Sequence, residues 1–288
     1  MEEVKEKEIL RKPNWLKVKL PTGKKYRELR ALVDDKKLHT ICESGNCPNM
    51  GECWHDGTAT FMILGNICTR SCGFCAVATG RPLPADLKEP VRVAESIKAM
   101  RIKHAVITSV DRDDLADGGS SIWAETVNAV RRISPGTTME TLIPDFKMNT
   151  DDLDRIIEVA PEIVSHNLET VRRLTKEVRI QAKYDRSLDV LRYLKDKGLR
   201  RTKSGIMLGL GETREEVIET MEDLRNAKVD IMTIGQYLQP SVKHLPVVDY
   251  PTPETYDMYR VIGEKMGFKF VQSSPLTRSS YHAQDHLF

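Results

Sequence analysis

The six cysteines of this chain lie between residues 42 and 75, and no other position of the 288-residue sequence holds one. They form two triplets of different spacing: Cys42-x4-Cys47-x5-Cys53 and Cys68-x3-Cys72-x2-Cys75. Thiolates are the usual ligands of iron–sulfur clusters. Three thiolates leave one iron of a cubane cluster without a protein ligand, so each triplet suggests a metal site kept open for chemistry. The sequence therefore predicts two clusters with different roles.

Structural zinc is the main alternative for these cysteines. Zinc needs four closed ligands, usually supplied as paired C-x2-C units. Only Cys72 and Cys75 form such a unit, and each triplet lacks a fourth cysteine, although His39 or His55 could complete one set. Buried unreactive thiols do not explain so dense a cluster, and disulfides are rare in a reducing cytoplasm. Iron–sulfur ligation accounts best for the spacing.

The composition excludes several classes of protein. With 40% hydrophobic and 30% charged residues the chain is typical of a globular protein, and no apolar run is long enough to span a bilayer. The N-terminal residues resemble neither a secretory signal nor a transit peptide, so we expect a cytoplasmic protein. A net charge of +2 argues against wholesale nucleic-acid binding. We therefore expect neither nucleic acid nor membrane as a partner.

Charge is nevertheless uneven near the N-terminus. Residues 11–30 hold eight Lys or Arg side chains against one acid, Glu28. Such an arm is either a solvated segment or a docking surface that steers an acidic partner. The basic residues are Arg11, Lys12, Lys17, Lys19, Lys24, Lys25, Arg27 and Arg30.

From residue 61 onward, apolar runs rich in β-forming residues alternate with helical periodicity. The predicted strands are residues 61–65, 104–110, 137–143, 162–168, 203–210 and 230–237. Six β-then-α units predict an α/β fold with a parallel sheet and right-handed crossovers, here a partial TIM-like (β/α)6 barrel. A flat doubly wound sheet is the alternative, but no GxGxxG motif follows the first strand.

Several residues predict where the helices begin and end. Thr213 with Glu216 predicts a capping box, and Thr252 precedes a proline at a first helical position. Asp185 is expected to cap the fourth helix, and Gly198 is expected to end it.

We expect three regions along the chain. Residues 1–60 form an N-terminal extension with the first triplet, residues 61–272 form the barrel, and residues 273–288 form a C-terminal tail. Both extensions are expected to cover the mouth of the barrel. The second triplet falls in a long connection, residues 66–90, directly after the first strand, where barrel enzymes carry their chemistry.

The second triplet, placed after the first barrel strand, resembles the motif of the radical S-adenosylmethionine (radical SAM) superfamily, with Phe74 as its usual aromatic residue. The first triplet and the C-terminal Arg278-Ser279-Ser280-Tyr281 are similar to the lipoyl synthase family. The resemblance extends from about residue 11 to the C-terminus. Further matching runs are residues 108–119, 143–146, 166–170 and 235–240.

This resemblance implies two [4Fe–4S] clusters and SAM as cofactors. Cys68, Cys72 and Cys75 would hold three irons of the radical-forming cluster, and its fourth iron would chelate SAM. One electron from that cluster cleaves SAM to methionine and a 5′-deoxyadenosyl radical, which removes hydrogen from an unactivated carbon.

The resemblance also implies a sulfur donor. Cys42, Cys47 and Cys53 would hold an auxiliary cluster that gives up its own sulfides, with Ser280 as its remaining ligand. The two sulfur atoms enter at C6 and C8 of an octanoyl chain that is amide-linked to a lysine of a carrier domain. The implied partners are this octanoylated lipoyl carrier domain (E2 subunits of 2-oxoacid dehydrogenases or the glycine cleavage H protein) and an electron donor such as ferredoxin or flavodoxin.

An oxygen ligand suits a cluster that must release iron, because a hard alkoxide is held less tightly than a thiolate. Neighbouring side chains of an extended segment point to opposite sides, so only one of Ser279 and Ser280 should face iron. Both serines could instead cap a turn, as loop serines often do. The next candidates for the ligand are His282 and Glu52.

The resemblance suggests five contacts with SAM. Gly118 and Gly119 would let the backbone approach the methionine amino end. Asn167 and Glu169 would contact the ribose and amino groups, and Arg179 would pair with the carboxylate. A simple turn at the glycines and helix capping at the charged residues are the alternatives.

Two other functions compete with this prediction. One is a different sulfur-inserting radical SAM enzyme that resembles biotin synthase, which the first triplet and the terminal Arg-Ser-Ser-Tyr run argue against. The other is a non-enzymatic iron–sulfur electron carrier. Such carriers usually close all four ligand positions and have no need of a six-unit barrel.

Overall fold

The structure is a computed structural model that describes residues 11–17, 39–40, 47, 49–56 and 58–287. Cys42 and most of the basic N-terminal arm lie outside these described residues, as do the side chains of His39 and His55. Within the described part of the chain, no helix is long and apolar enough to cross a membrane.

Strands and helices alternate along most of the described chain. The strands are β1 (His39–Thr40), β2 (Thr58–Ile63), β3 (Ile67–Cys68), β4 (Ala78–Thr79), β5 (His104–Ser109), β6 (Thr138–Leu142), β7 (Ile163–Ser165), β8 (Thr202–Leu208), β9 (Ile231–Gln236) and β10 (Phe270–Ser273). The α-helices are α1 (Met50–Asp56), α2 (Glu89–Ala99), α3 (Ser120–Ile133), α4 (Thr150–Glu158), α5 (Thr175–Val178), α6 (Tyr184–Asp196), α7 (Arg214–Asn226) and α8 (Pro253–Lys265). Short 3-10 helices lie at Asn14–Leu16, Phe146–Met148 and Ala283–His286.

An eight-stranded sheet runs in the order β1-β2-β5-β6-β7-β8-β9-β10. Its pairs are parallel except for β1 with β2. Strands that follow each other in the chain are therefore neighbours in space, whereas a doubly wound sheet reverses its order at a switch point. The six predicted β-then-α units are confirmed, and β10 adds a seventh parallel strand. No pairing among the described residues joins β1 to β10, so the barrel stays open.

The positions at which we predicted helices to begin and end are confirmed with one exception. Thr213 and Glu216 form the capping box that begins α7, and Thr252 is the N-cap before Pro253 in α8. Gly198 follows the C-cap of α6 with φ +93°, as a C′ glycine should. The prediction for Asp185 is wrong, because α6 begins one residue earlier with Lys183 as its N-cap.

The helices bury apolar stripes against the outside of the sheet. Helix α3 shows the pattern, since Ile122, Trp123, Val127 and Val130 recur at helical spacing and are buried. Helices α2 and α3 also pack against each other. This outer layer leaves the inner face of the strands for polar residues and for the site described below.

The C-terminal tail, residues 274–287, runs from one end of the barrel to the other. At the carboxyl end of the strands, the backbone N–H of Gln236 donates to the Pro275 carbonyl at 3.3 Å. At the amino end, Thr58 Oγ1 donates to Gln284 Oε1 at 2.7 Å, and the His286 ring meets the Phe270 ring edge-on at 4.7 Å. The tail therefore lines the mouth and then continues along the open side of the barrel.

Gly235 lets the tail lie against β9. A Cβ atom at this position would come within 2.0 Å of the Thr277 carbonyl oxygen. We expect Gly235→Ala to lower the free energy of unfolding by about 1–3 kcal/mol, because the tail backbone must move away from the strand. Gly136→Ala is the matched control, since a Cβ there meets nothing within 4 Å. Urea unfolding of both variants checks the prediction, and equal stability of the two would contradict it.

Candidate active site

The loop that carries the second cysteine triplet is held in a defined shape by its own backbone. Strand β3 pairs in parallel with β4, so the two ends of the loop lie side by side. The Gly80 N–H donates to the Cys68 carbonyl at 3.0 Å, and the Cys75 N–H donates to the Cys72 carbonyl at 3.1 Å. These turns bring all three cysteines to the wall of one cavity.

Two distant segments fasten this loop to the barrel. The Gly73 N–H donates to the Val178 carbonyl at 2.9 Å, and the Leu245 N–H donates to the Gly73 carbonyl at 3.0 Å. His244 Nε2 lies 3.0 Å from the Cys75 carbonyl oxygen. The position of the three thiols is therefore set by loops that follow several different strands.

Two backbone amides point at the Cys68 sulfur. The N–H of Arg70 lies 3.4 Å from this atom, and the N–H of Asp111 lies 3.2 Å from it. N–H donors stabilise negative charge on sulfur, so they favour the thiolate that a metal requires. These two N–H groups therefore partly oppose the effect of burial, which raises the pKa of the Cys68 thiol.

A buried arginine joins three of the loops around the triplet. Arg70 forms a bidentate pair with Asp113 at 2.7 and 2.9 Å, and its Nη2 also contacts Asp145 at 2.7 Å. Asp111 lies 3.4 Å from Nη1, and Arg186 reaches Asp145 from α6 at 3.1 Å. Burial alone would raise the pKa of Asp145, but the hydrogen bond and charge of Arg70 hold that pKa well below its usual range.

This arginine network was not predicted from the sequence. The available signal was an arginine inside the cysteine motif together with the acidic run at positions 111–114, directly after a strand. A strand end rich in carboxylates at a barrel mouth is a typical functional position. The partner at position 145 carries no such signal, because only the tertiary fold brings it to Arg70.

The thiols face a cavity of about 330 Å³ at the carboxyl ends of the strands. Its walls are mostly apolar on the side of β2, β6 and β8, and polar near the cysteines. The residues that line it include Met62, Cys68, Cys72, Phe74, Cys75, Thr108, Asp111, Leu142, Ile143, Asn167, Glu169, Arg179, Ile206, Met207, Thr233, Arg278 and Ser279. Phe74, expected beside the triplet, is among them.

Three of the five predicted SAM contacts lie on this cavity: Asn167, Glu169 and Arg179. Asn167 Nδ2 donates to Glu169 Oε1 at 3.0 Å, whereas Asn167 Oδ1 is buried without a hydrogen-bond partner. Arg179 is buried, and its Nη1 donates to the Leu168 carbonyl at 3.1 Å. Buried polar atoms are normally satisfied, so the unpaired Asn167 oxygen indicates a place for a ligand donor.

Gly118 and Gly119 do not line this cavity. Both have positive φ, +56° and +88°, and Gly119 is the N-cap of α3. A Cβ on Gly119 would lie 2.5 Å from Leu64, and one on Gly118 would lie 2.9 Å from Phe146. Backbone conformation and packing explain these glycines, and a role in SAM binding stays a prediction.

Burial keeps the thiols protonated when no metal is bound. It raises the pKa of Cys72 to about 12 and that of Cys75 to about 11, and it also raises the pKa of Cys68. The positive charge of Arg179 partly opposes the shift at Cys72. Metal binding must therefore displace these protons, as it does at other thiolate sites.

The first triplet lies beside the tail. Cys47 and Cys53 line a small cavity together with Ser280, whereas Ser279 lines the larger cavity. The two serines therefore line different cavities, although they lie in a turn, closed by the Tyr281 N–H on the Arg278 carbonyl, and not in the extended segment that we expected. Arg278 borders both cavities, and Cys42 lies outside the described residues.

The alternative ligands of the auxiliary site lie close to one another. Tyr281 OH lies 3.3 Å from Glu52 Oε1, and His282 Nε2 lies 3.6 Å from the same oxygen. Neither Glu52 nor His282 is among the residues that line the small cavity with the cysteines. Of the three candidate ligands Ser280, His282 and Glu52, Ser280 alone lines the small cavity.

The donor sets fit iron–sulfur clusters better than a single metal ion. Cysteines 47, 53, 68, 72 and 75 form no disulfides. Among the described residues, no three His, Cys, Asp or Glu side chains converge tightly enough to hold one ion. A multi-iron cluster binds each thiolate through a different iron, so it accepts sulfurs that are spread around a cavity. The thiol wall and the unpaired Asn167 oxygen together suit a cluster with an additional small-molecule ligand.

Comparison with family models finds two matches. The radical SAM superfamily matches residues 62–224, which is more than half of the chain. The N-terminal domain of lipoyl synthase of the radical SAM family matches residues 2–47.

Curated relatives match nearly the whole chain. A mitochondrial lipoyl synthase of Nematostella vectensis and a lipoyl synthase of Flavobacterium psychrophilum are each 71% identical over 276 residues, which is 96% of this chain and 95% of each relative. A lipoyl synthase of Parabacteroides distasonis is 56% identical over 278 residues, covering 96% of this chain and 99% of the relative.

Solved structures share the fold at low sequence identity. Methylornithine synthase has a TM-score of 0.56 and 15% identity, covering 90% of this chain and 87% of that chain. The FeFe-hydrogenase maturase HydG from Carboxydothermus hydrogenoformans has a TM-score of 0.59 and 15% identity, covering 91% and 68%. These likenesses support the partial barrel.

Loss of the Arg70 charge should destabilise the mouth of the barrel. We expect Arg70→Met to lower the free energy of unfolding by about 3–5 kcal/mol, because buried Asp145 loses its main partner. Arg260→Met is the control, since Arg260 pairs with Asp257 and Glu264 on the surface and should cost less than about 1 kcal/mol. Urea unfolding measures both, and similar losses would contradict the central place of Arg70.

The raised thiol pKa values predict how the metal-free chain responds to alkali. The folded chain binds the Cys72 proton more tightly than the unfolded chain, whose thiol has the ordinary pKa of 9.0. This contribution to stability is complete below about pH 9 and is lost as pH rises toward about 12. Cys72→Ser should therefore make the free energy of unfolding fall less steeply above about pH 9 than in the parent chain. Parallel pH profiles in urea unfolding would count against the burial of this thiol.

Proposed function

The chain belongs to the lipoyl synthase family of the radical SAM superfamily, and we propose that its two cysteine triplets divide the reaction between radical formation and sulfur donation. The enzyme inserts two sulfur atoms at C6 and C8 of a protein-bound octanoyl-lysine chain. Its cofactors are SAM and two [4Fe–4S] clusters. We propose below which residues form the radical and which donate the sulfur.

Cys68, Cys72 and Cys75 are proposed to hold the radical-forming cluster. When bound, this cluster and SAM supply a carbon-centred oxidant that removes hydrogen from an unactivated C–H bond. The amides of Arg70 and Asp111 support the Cys68 thiolate, and the Arg70 ion pairs hold the loop in place. Of the cysteines that the structure describes, no fourth one accompanies Cys68, Cys72 and Cys75 in this cavity. The fourth iron of a cluster would therefore be free to bind a small molecule.

Asn167, Glu169 and Arg179 are proposed to orient SAM beside the cysteines. The unpaired Asn167 oxygen can accept a hydrogen bond from an amino or hydroxyl group. The Glu169 carboxylate accepts from Asn167 and offers its remaining lone pairs to the cavity. Arg179 supplies positive charge for a carboxylate, although its Nη1 is already engaged by the Leu168 carbonyl.

The apolar walls of the cavity are proposed to receive the octanoyl chain. Met62, Leu142, Ile206 and Met207 present hydrocarbon and thioether groups there. An aliphatic chain gains free energy by leaving water for such a surface. The same walls keep water from the reacting carbon, which protects a reactive species from side reactions.

Cys42, Cys47 and Cys53 with Ser280 are proposed to hold the auxiliary cluster that donates sulfur. Support comes from the small cavity that Cys47 and Cys53 share with Ser280. An alkoxide is a hard ligand and can take up a proton and leave iron, whereas a thiolate binds iron more persistently. Ser280 would therefore mark the corner of the cluster that opens first.

A lipoyl-accepting protein is the substrate, and we propose that it is an octanoylated carrier domain of a 2-oxoacid dehydrogenase E2 subunit or of the glycine cleavage H protein. The basic arm at residues 11–30 suits an acidic carrier surface. A one-electron donor such as ferredoxin or flavodoxin would reduce the clusters. The clustered thiols suit a reducing compartment, for which we propose the cytoplasm.

The three regions predicted from the sequence remain our proposal for domain organisation. Residues 1–60 would carry the auxiliary ligands, residues 61–272 the barrel, and residues 273–288 the tail. The two family matches, residues 2–47 and 62–224, support a boundary near residue 60.

The observation that carries the proposal is the short tail segment that touches both sites. Ser279 lines the cavity of the second triplet, and Ser280 lines the cavity of the first. An octanoyl chain bound against the tail would thus lie between a site that activates a C–H bond and a site that holds sulfide.

Cysteine substitutions should separate the two halves of the reaction. Cys68→Ala should abolish 5′-deoxyadenosine formation and retain the iron of the auxiliary site, because its other ligands are intact. Cys47→Ala should still cleave SAM but should give no sulfur-containing product. Anaerobic assays with an octanoyl-lysine peptide, read by mass spectrometry and iron counting, measure both effects. A thiolated product from Cys47→Ala, or SAM cleavage by Cys68→Ala, would show that the roles are assigned wrongly.

A further inference from the structure

A charged pair is buried inside the barrel, away from the cysteines. Lys203 on β8 and Glu140 on β6 are both 0% exposed, and Lys203 Nζ lies 2.9 Å from each carboxylate oxygen. Ser165 Oγ donates to Glu140 Oε1 at 2.6 Å, so the carboxylate is fully engaged. These strands point both charged side chains to the inner face of the sheet, where the tail passes.

Lys203 also holds the tail at two points. Its ammonium donates to the Ser279 carbonyl oxygen and lies 3.2 Å from His286 Nδ1. These two contacts fall on either side of Ser280 in the sequence. An ammonium group has three N–H donors, and here Glu140, Ser279 and His286 account for them. One buried cation therefore ties the barrel wall to the backbone next to Ser280.

Stability alone does not call for this ion pair. Apolar residues of similar volume often replace buried ion pairs at no loss of stability, because the charges lose their hydration. What an apolar residue cannot do is bind a carbonyl oxygen and so fix the position of a tail that joins no strand that the structure describes. The contact to Ser279 matters for geometry, because Ser279 and Ser280 are the central residues of one turn, which the Tyr281 N–H closes by donating to the Arg278 carbonyl, so a displaced turn would redirect both side chains.

We propose that Lys203 is a positioning residue for the auxiliary site, which holds the tail in the register that turns Ser280 toward Cys47 and Cys53. This inference rests on the proposed role of Ser280 as the fourth ligand. Lys203 itself touches neither cysteine triplet. It acts through the Ser279 carbonyl, whose position sets the direction of the next side chain.

The double variant Lys203→Met with Glu140→Gln tests this role. It removes both charges together, so no unpaired ion is left in the interior. Lys195→Met is the control, because Lys195 also forms an ion pair, with Asp230 at 2.6 Å, but lies on the outer helix α6 without contact to the tail. Ser280→Ala is measured beside them. The readouts are the Mössbauer signal of an oxygen-ligated iron site, SAM cleavage, and dithiolated octanoyl-lysine peptide.

The double variant should lose the oxygen-ligated iron signal, as Ser280→Ala does, and should keep SAM cleavage near the parent rate. Sulfur insertion should fall about 10- to 100-fold, the range expected when a charge-assisted hydrogen bond is lost. The control should match the parent in all three readouts.

Parent-like iron signal and product in the double variant, with Ser280→Ala impaired, would overturn the role of Lys203 alone. Parent-like behaviour of Ser280→Ala would overturn the proposed ligand and this inference with it, and loss of SAM cleavage in the double variant would reduce Lys203 to a general structural role.

Discussion

Arg70 places a buried positive charge among Asp111, Asp113 and Asp145, and these contacts join the loops that follow three neighbouring parallel strands. Backbone hydrogen bonds set the shape of the cysteine loop, and the ion pairs of Arg70 set its position relative to the barrel. The three carboxylates are themselves fixed, because each lies shortly after a strand end whose position the sheet fixes. The arginine thereby transfers the rigidity of the sheet to the ligands. Without these ion pairs, the backbone N–H groups that donate to the Cys68 sulfur would also lose their orientation.

The open side of the barrel gives the C-terminal tail a path along the strands. A closed sheet would pair all its strand edges and leave no lateral path, whereas this sheet ends at β1 and β10. The tail follows that side from the mouth to the amino ends of the strands. It packs against Gly235 near the mouth, and Lys203 donates a hydrogen bond to its Ser279 carbonyl inside the barrel. Its midpoint lies between the two cysteine sites. A single turn of the tail can therefore reach both sites, since Ser279 lines one cavity and Ser280 lines the other.

The strands and helices of the barrel could be predicted from the sequence because each has a strong hydrophobic period and clear caps. Strand β10 was not among the six predicted strands, since its place as a seventh parallel strand depends on pairing with β9. The predicted cap at Asp185 was wrong, because α6 begins at Tyr184 with Lys183 as its N-cap. Local pattern thus predicted the elements well, and it could not predict the pairings that tertiary structure decides.

In the candidate site, too, some residues could be predicted from local sequence and others could not. The cysteine spacing predicted two cluster sites. Ser279 and Ser280 do line different cavities, but a turn separates them and not the alternation of an extended segment on which the prediction depended. The Arg70 network and the Lys203–Glu140 pair were not predicted, because the partners of Arg70 lie 41 to 75 positions away in the sequence and Glu140 lies 63 positions from Lys203. Gly118 and Gly119 were predicted to contact SAM, and that role stays a prediction. The structure adds that both glycines pack closely, Gly119 against Leu64 and Gly118 against Phe146.

The central claim is that the sulfur in the product comes from the cluster held by the first triplet and Ser280. The most direct test is one turnover with protein whose clusters carry ³⁴S, in a solution that contains only sulfide of natural abundance. The octanoyl-lysine peptide is then analysed by mass spectrometry. The account predicts a product in which both inserted sulfur atoms are heavy. A product with sulfur of natural abundance would show that the sulfur comes from solution and would contradict the claim.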